Sequence, residues 1–405
     1  MKQIFARHFA PTFSPRITDP ARIDALYRHY RARLLVATFL GYAHFYFCRK
    51  NISIAMPALG TELHYTNTQL GILGSLLYVT YGVGKFVNGI LGDHANPRLF
   101  MAIGLFLSAL CSAAFGAASG LFFLALFWGL NGWFQSMGFP PCARILANWY
   151  SVSERGLVWS IWNISHQLGA IGILLFAGWL TVHYGWRSAF VVPAILCAAS
   201  AIALYAALRD IPTTLGLPPV ASYRNDPELD RDGRPLSDET ESIKDVLYTR
   251  VLRSRNVWLV SVMNLFVYIV RTGAFDWAPK YLVEHKGSSL GKAGLVTATF
   301  ELSGVLGSVL VGVVSDRFHG GRRAPMCFVF MLLTAAAVAL LYFVPKGSTA
   351  GDAAALALIG FAVYGPQFLV GVFVTDVASP KASATAIGLT GLFGYAGSAL
   401  SGVGT

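Results

Sequence analysis

The chain has 405 residues, of which 55% are apolar and 13% are charged, and its mean hydropathy is +0.55. A soluble domain carries about 25% charged residues, so this composition excludes a set of ordinary soluble domains, and it excludes a disordered chain as well. The net charge of +11 does not indicate nucleic-acid binding, because no basic run is interleaved with exposed aromatic residues. Five cysteines without CxxC spacing indicate neither a disulfide framework nor a zinc site. The sequence therefore predicts a polytopic helical membrane protein.

The first 33 residues are polar and basic, and they form a predicted cytoplasmic segment. Asp19 followed by Pro20 is typical of a helix start, with the aspartate as N-cap and the proline in the first turn. An apolar face from Ile23 to Tyr30, with arginines around it, predicts a short amphipathic helix on the cytoplasmic surface that leads into the membrane.

Apolar runs long enough to cross a bilayer, about 20 residues each, follow along the rest of the chain. About eleven are predicted, at residues 34–59, 69–91, 98–118, 121–147, 156–182, 188–208, 257–283, 290–314, 325–344, 353–375 and 383–403. The first six form a predicted N-terminal bundle (34–208), and the others form a C-terminal bundle (257–405). The charged segment 209–256 is a predicted solvated cytoplasmic linker between them. Arginine and lysine are concentrated in the N-terminal segment, the linker and alternate turns, so the N-terminus is expected in the cytoplasm.

The two predicted bundles share a spacing of charged residues. Arg49 follows Arg33 by sixteen residues, and Arg271 follows Arg255 by the same interval, at an offset of 222. The acidic turns after the second and eighth spans repeat at an offset of 223. A nearly constant offset indicates an internal duplication, which is typical of secondary transporters.

Several motifs resemble those of the major facilitator superfamily. The segment Asn88-Gly-Ile-Leu-Gly-Asp93 with Arg98, and the segment Gly312-Val-Val-Ser-Asp316-Arg317, are similar to its loops between helices two and three and between helices eight and nine. More specifically, the chain resembles the organophosphate:phosphate antiporters, which include bacterial glycerol-3-phosphate and hexose-phosphate transporters. The matching stretches cover nearly the whole chain: Tyr46-Phe-Cys-Arg49-Lys-Asn51, Tyr81-Gly-Val-Gly-Lys85-Phe, Gly138-Phe-Pro-Pro-Cys142, Trp162-Asn-Ile-Ser-His166, Val267-Tyr-Ile-Val-Arg271 with Asp276-Trp277, and Tyr364-Gly-Pro366.

Within that family, three further stretches are most similar to the hexose-phosphate transporter and sensor group: Ile23-Asp-Ala-Leu-Tyr-Arg28, Phe300-Glu-Leu-Ser-Gly304 and Gly365-Pro-Gln367. The resemblance implies an all-α membrane protein with two pseudo-symmetric bundles. The family has twelve helices, so a chain that ends at Thr405 after the eleventh predicted span is expected to lack the twelfth. In the superfamily that helix does not line the cavity, so the site is expected to be kept while stability or activity suffers.

Two arginines lie deep in predicted spans. Arg49 is about 24 Å along its helix from Arg33 at 1.5 Å per residue, which is near the bilayer midplane, and Arg271 is equally deep. Burying an arginine in the bilayer costs at least about 2.5–3.5 kcal/mol, so this pair requires an anionic partner. A phosphate ester fits the guanidinium fork. The alternative is a pair of intramembrane salt bridges, with Glu301 as the main acid, although one acid cannot satisfy both arginines equally.

Other polar residues in the spans are candidates for substrate binding: Lys85, His166, Tyr42, Tyr46, Tyr81, Asn163, Tyr268, Glu301, Tyr364 and Tyr395. The aromatic hydroxyls suit a polar cavity that receives a sugar or glycerol moiety, but core or interfacial packing is the alternative for each tyrosine. A lysine in the middle of a span requires a partner. The histidine could gain charge when phosphate binds, or it could be a satisfied core residue. The resemblance implies that the glutamate pairs with charges in the site.

The remaining charged residues are predicted to act in gating or are not assigned to the substrate site. Asp93, Arg98, Asp316 and Arg317 are expected to form a cytoplasmic latch between helices. Lys50 and Asn51 adjoin Arg49 but are expected to point elsewhere on the helix. The Gly-Lys pair at residues 84–85 lacks the P-loop pattern, which argues against ATP-driven transport. No metal-ligand cluster or nucleophile–base motif is present, so no cofactor and no enzymatic activity are expected.

The sequence thus predicts an antiporter of a bacterial inner membrane that works as a monomer and exchanges an organic phosphate, such as glucose 6-phosphate, for inorganic phosphate by alternating access. Three alternatives remain. The chain could be a hexose-phosphate sensor that signals to a partner kinase, a glycerol-3-phosphate:phosphate antiporter, or a structural membrane protein without transport.

Overall fold

The computed structural model describes residues 14–224, 248, 251–318, 323–377 and 383–403, and no strand occurs in these ranges. The N-terminal half contains α1 (Pro20–Phe47), α2 (Asn51–Leu63), α3 (Asn67–His94), α4 (Pro97–Ala117), α5 (Leu121–Gln135), α6 (Phe139–Trp149), α7 (Val152–Tyr184), α8 (Ser188–Ala207) and the short α9 (Val220–Arg224). The C-terminal half contains α10 (Arg255–Glu284), α11 (Leu290–Phe318), α12 (Arg323–Phe343), α13 (Thr349–Val377) and α14 (Ser383–Val403).

The first helix begins where the sequence predicts, but two of the predicted spans are interrupted. The Asp19 carboxylate accepts a hydrogen bond of 3.1 Å from the amide of Ala21, which confirms the predicted helix start. The predicted surface helix and the start of the first span then form one continuous helix, α1, which ends at Phe47. The first predicted span is therefore divided between two helices, because the helix resumes only at Asn51. The fourth span is likewise divided, between α5 and α6, and prolines stand in the first turn of α6, where a missing N–H is tolerated.

Seven of the described helices are long and apolar enough to cross a membrane: α4, α8, α10 and α12, and stretches of α7, α11 and α13. The helices at the first, second, fourth and eleventh predicted spans are outside this set. The first and second spans carry the polar residues Arg49 and Lys85, and the first and fourth are interrupted. By length and composition the chain is an integral membrane protein.

The helix contacts repeat between the halves. α1 packs against α7 as α10 packs against α14, and α3 packs against α5 as α11 packs against α13. Equivalent pairs also form the interface between the halves. α3 of the N-terminal half contacts α14, and α7 contacts α11 of the C-terminal half in the same way. α2 packs against α10 between these two pairs. This arrangement is what a duplicated bundle produces, and it places the interface residues of both halves around a common axis.

The halves meet closely at one end of the bundle and separate toward the other. The linker end is where residues 209–224 lie, and the far end is opposite, between α2 and α3. At the far end a Cβ added to Gly71 would lie 1.9 Å from the carbonyl oxygen of Gly402, and the Ser75 hydroxyl donates to the Ala399 carbonyl at 2.6 Å. Toward the linker end no described atom lies within 4 Å of a Cβ added to Gly89 or Gly388. The space between the halves is therefore closed at the far end and widens toward the linker end.

The first part of the predicted linker is folded onto the N-terminal half. The Tyr27 hydroxyl donates to the Pro218 carbonyl at 2.6 Å, and the Trp149 indole donates to the Asp210 carbonyl at 3.0 Å. Arg224 pairs with Glu154 at 2.5 Å. Residues 209–224 of the predicted linker are thus docked on the N-terminal half, while residues 225–247 and 249–250, which include its charged run, lie outside the described part of the chain, so the solvated linker stays a prediction there.

Candidate functional site

Arg49 lies in the break between α1 and α2. The amides of Arg49 and Lys50 both donate to the Tyr46 carbonyl, at 3.1 and 3.0 Å, which turns the chain and directs the arginine into the interface between the halves. The guanidinium carbon lies 4.6 Å from the centre of the Tyr46 ring and 4.5 Å from that of Tyr81. Its Nε donates to the Gln135 side-chain oxygen at 3.0 Å. Arg49 is 5% exposed, and its Nη2 has no hydrogen-bond partner in the described part of the protein.

Amides and a hydroxyl stabilise this helix break. Gln135 donates to the Phe45 carbonyl at 2.9 Å, and Asn131 donates to the Cys48 carbonyl at 2.6 Å. Ser108 joins the two amides, since it accepts from Gln135 and donates to Asn131, each at 2.6 Å. The carbonyls that an unbroken helix would satisfy are therefore satisfied by side chains. Gln135, Asn131 and Ser108 are not among the site residues that the sequence predicts. The signal that could have found them is a pair of carboxamides four residues apart in an apolar span.

Arg271 is positioned differently, inside the continuous helix α10. Its Nη2 donates to the Tyr364 hydroxyl at 2.7 Å, and that hydroxyl in turn donates to the buried carboxylate of Glu301. The guanidinium carbon lies 4.8 Å from the Tyr364 ring centre and 5.7 Å from that of Tyr268. The Nε of Arg271 has no partner in the described part of the protein. Glu301 thus acts on Arg271 through a tyrosine and not through a direct salt bridge.

Tyrosines from both halves connect the two arginines. The Tyr81 ring centre, on the N-terminal side, lies 4.6 Å from that of Tyr395, which lies 5.9 Å from that of Tyr268. The Lys85 ammonium lies 5.3 Å from the Tyr395 ring centre. Lys85 makes no ion pair with a described carboxylate. The structure therefore brings these predicted residues together on the side where the halves begin to separate.

His166, Tyr42 and Asn163 lie on the N-terminal side of the site, and they differ in exposure. The ring centre of His166 is 5.7 Å from that of Tyr46 and 6.4 Å from that of Tyr364, so the histidine lies between the halves. Its Nδ1 contacts the Asn163 carbonyl, which accepts only, so Nδ1 carries the proton. Tyr42 packs with its ring centre 4.7 Å from that of Trp162. The side chain of Asn163 is exposed, and only its carbonyl contacts another described site residue.

Asp276 lies at the interface between the halves and pairs with a different cation. Lys50 donates to Asp276 at 2.7 Å and to the Tyr78 hydroxyl at 2.8 Å, and Tyr78 donates to the second oxygen of Asp276 at 2.5 Å. Ser53 also donates to the carboxylate, at 3.0 Å. These contacts join α2 and α3 of the N-terminal half to α10 of the C-terminal half. The sequence analysis left Lys50 out of the site, because an unbroken helix would have directed it elsewhere.

The predicted gate residues are only partly described. Asp93 lies at the end of α3, and Asp316 and Arg317 lie at the end of α11, but their side chains are outside the described part of the protein. Arg98 donates through Nε to the Tyr205 carbonyl on α8, and its guanidinium carbon lies 4.0 Å from the Tyr205 ring centre. Arg98 therefore links two helices of the same half, and the predicted latch stays a prediction.

The guanidinium groups of buried Arg49 and half-buried Arg271 each keep one buried N–H without a partner. Among the described side chains, neither arginine has a carboxylate within salt-bridge distance. Each arginine packs on a tyrosine whose ring centre lies within 6.4 Å of that of His166. An oxyanion between them would accept from the free Nη2 of Arg49 and the free Nε of Arg271. Within the described ranges no group of three or more His, Cys, Asp or Glu residues could hold a metal ion.

Similar proteins indicate the class to which the chain belongs. It is 40% identical over 404 residues to the probable hexose phosphate transport protein of Chlamydia trachomatis serovar D, across 97% of this chain and 88% of that one. It is 39% identical to the glycerol-3-phosphate transporter of Bacillus subtilis strain 168, across 94% of this chain and 86% of that one. It is 38% identical to the membrane sensor protein UhpC of Salmonella typhimurium, across 97% of this chain and 88% of that one.

The fold agrees with these relatives. The solved structure of a bacterial homolog of the human lysosomal transporter Spinster covers 92% of this chain and 81% of its own, with a TM-score of 0.74 and 19% identity. Residues 38–402 match the family described as Major Facilitator Superfamily. The expected fold class is therefore confirmed, as is the expectation that the chain is not an enzyme. The chain belongs to the major facilitator superfamily and, within it, to the organophosphate:phosphate antiporter family.

Proposed function

We propose that the chain exchanges an organic phosphate for inorganic phosphate, and that Arg49 and Arg271 hold the phosphoryl group from the two halves. The observation that carries this proposal is a pair of guanidiniums, Arg49 buried and Arg271 half-buried, each with a buried, unpartnered N–H and without a direct carboxylate in the described part of the chain. A phosphate dianion provides the charge and the acceptor oxygens that this pair lacks. Either phosphate species satisfies the pair, which is why exchange requires no ATP.

The shape of the interface supports alternating access as the transport mechanism. The far end is closed by the approach of Gly71 to Gly402 and by the contacts of Lys50 and Ser53 with Asp276. Bound phosphate draws the two arginines together, and with them the two halves, so the loaded protein can close at the linker end before it opens at the far end. An empty site leaves two like charges facing each other, so the unloaded protein crosses poorly. Both arginines belong to one chain, so a monomer suffices.

We place the linker end in the cytoplasm of a bacterial inner membrane. The support for this orientation is the concentration of arginine and lysine in the N-terminal segment, in the segment 209–256 and in the turns at the same end. In this orientation the described conformation is open toward the cytoplasm. A hexose 6-phosphate is the proposed organic substrate. The support is the group of tyrosines around the arginines, whose hydroxyls suit a sugar, together with the 40% identity to a probable hexose phosphate transport protein.

The experiment is phosphate exchange in proteoliposomes. Vesicles that hold the chain are loaded with phosphate, and uptake of labelled phosphate is competed with glucose 6-phosphate, glycerol 3-phosphate and glucose. We expect glucose 6-phosphate to inhibit uptake more strongly than glycerol 3-phosphate, and glucose not to inhibit it. Stronger inhibition by glycerol 3-phosphate would favour the second antiporter. Absence of uptake, combined with thermal stabilisation by glucose 6-phosphate, would favour a sensor with a partner kinase. Absence of both would contradict the site itself.

A further inference from the structure

An apolar groove of about 620 Å³ runs along the outer surface of the N-terminal half, away from the site between the halves. It lies between α1 and α8, and its walls include Val36, Leu40 and Ala203. On α1 the groove extends from His29 to His44, about 22 Å at 1.5 Å per residue. One leaflet of a bilayer has a hydrocarbon depth of about 15 Å, half the thickness of the core. The groove is therefore long enough for an acyl chain.

Three arginines from different elements meet at the linker end of this groove. Arg33 donates to the Ala206 carbonyl at 2.8 Å, Arg98 donates to the carbonyl of Tyr205, and Arg209 donates to the carbonyls of Ala206 and Leu208 at 3.0 and 2.7 Å. All these carbonyls belong to the last turn of α8 or follow it directly. The three side chains therefore surround one helix C-terminus, whose partial negative charge favours cations.

The charges in this cluster exceed what the protein itself compensates. Within the described ranges, none of the three arginines forms an ion pair with a carboxylate. Arg33 and Arg209 donate to the same carbonyl, that of Ala206, so two like charges lie side by side. Each guanidinium has five N–H groups, and the carbonyls of α8 use only one nitrogen of each. The cluster therefore has donors and positive charge available for an anion next to the groove.

We propose that the groove and the arginines Arg33, Arg98 and Arg209 form a binding site for an anionic phospholipid, with its headgroup phosphate on the arginines and an acyl chain in the groove. The two features select this ligand together. Free phosphate would leave the apolar groove uncovered, and a zwitterionic lipid carries a cation next to its phosphate that the arginines repel. A second copy of the chain is disfavoured, because a symmetric interface through this groove places the same basic cluster on both partners.

The test measures the thermal unfolding midpoint of the purified chain in neutral detergent with added phosphatidylglycerol, phosphatidylcholine or inorganic phosphate. We expect phosphatidylglycerol to raise the midpoint by several degrees more than phosphatidylcholine. The double variant Arg98→Gln/Arg209→Gln is expected to lose this difference. The matched control is Arg22→Gln/Arg28→Gln, which removes two exposed arginines of α1 that do not line the groove. The control is expected to keep the difference.

A second variant tests the groove with all arginines intact. Ala203 is exposed on the groove wall, so Ala203→Trp fills the groove from the lipid side, and it is expected to reduce the difference between the two lipids. This variant decides the question if the arginine variant does not fold. Equal stabilisation by both lipids, an unchanged difference in Ala203→Trp, or a stabilisation by inorganic phosphate that Arg98→Gln/Arg209→Gln removes would each overturn the proposal. Dimers that form without added lipid and disappear in Ala203→Trp would overturn it in favour of a second copy.

Discussion

Arg49 and Arg271 occupy equivalent positions in the two halves, yet their surroundings differ. Arg49 lies in a helix break that the neutral amides of Gln135 and Asn131 stabilise, and it donates directly to Gln135. Arg271 lies inside an unbroken helix, and Tyr364 connects it to an acid. The two halves therefore share the arginine and its position in the helix order, but the groups that hydrogen-bond to it differ. We infer that Arg49 is the less compensated charge and the stronger anchor for phosphate, because its direct partner is neutral.

The residue next to Arg49 extends the comparison. Lys50 is buried against Asp276, while Arg49 has no such partner among the described residues. Two adjacent cations therefore differ in their partners. Lys50 pairs with an acid of the other half, and Arg49 keeps the free N–H on which the proposed phosphate site depends.

The largest expected effect comes from breaking this ion pair. Asp276→Asn leaves the Lys50 ammonium buried without its counter-charge, and removing one partner of a buried pair costs about 3–5 kcal/mol. We expect Asp276→Asn and Lys50→Met each to lower the stability in detergent strongly, and the double variant to lose less than the sum of the two. Thermal or denaturant unfolding of the three variants measures this. Additive losses would mean that the two residues do not interact.

The next effect separates the two arginines. Arg49→Lys is expected to weaken phosphate binding about 100-fold, because the guanidinium fork is lost and each hydrogen bond to a charged group contributes about 1.5–3 kcal/mol. Arg271→Lys is expected to weaken it about 10-fold, on the same scale, because Glu301 already offsets part of that charge. Binding isotherms and exchange rates in proteoliposomes measure both variants. Wild-type affinity in Arg49→Lys would remove this residue from the site, and equal losses would contradict the asymmetry.

A smaller effect concerns the supports. Gln135→Leu leaves both the Phe45 carbonyl and the Nε of Arg49 without partners, at a cost of about 1–3 kcal/mol, so we expect phosphate affinity to fall about 10-fold. Glu301→Gln keeps an acceptor for Tyr364 and removes the charge that offsets Arg271, so phosphate affinity is expected to rise about threefold on the same scale. Gln167→Leu is the matched control, since this glutamine is 3% exposed and its Nε2 has no partner in the described structure. If the control loses as much affinity as Gln135→Leu, the effect of Gln135 is general packing.

The smallest effect is a dependence on pH away from the site. Burial acts to raise the pKa of Glu154, but the hydrogen bond from Arg31 and the charges of Arg31 and Arg224 prevail, so its pKa is lowered. The stabilisation is then complete above the unfolded value near 4.5 and is lost as the pH falls through the lowered value. For this partly exposed pair the loss is expected to be under about 1 kcal/mol. Unfolding midpoints measured from pH 6 downward should fall less steeply in Glu154→Gln.

Asp210 provides the opposite control. Burial raises its pKa despite the nearby Arg144, so its ionised form costs stability, and that cost disappears as the pH falls through the raised value. Asp210→Asn is therefore expected to steepen the loss of stability on the acid side, whereas Glu154→Gln reduces it. The same sign in both variants would show that these two carboxylates do not control the docking of residues 209–224.

The sequence by itself determined the membrane class, the duplication, the paired arginines and most of the surrounding tyrosines. These features are evident because a charge inside an apolar run is costly and therefore conspicuous, and because a repeat preserves its spacing. The family followed from the same residues, and the relatives confirm it.

Only the tertiary structure decided how those residues are held. The helix break after Phe47 depends on side-chain amides of α5 that donate to its free carbonyls. The pairing of Lys50 with Asp276 joins residues that are 226 positions apart. The docking of residues 209–224 depends on Tyr27, Trp149 and Glu154, which lie far from it in sequence. Neutral amides leave little trace in composition, and long-range partners have no fixed spacing. Their roles therefore arise from the packing of helices that the sequence pattern alone does not bring together.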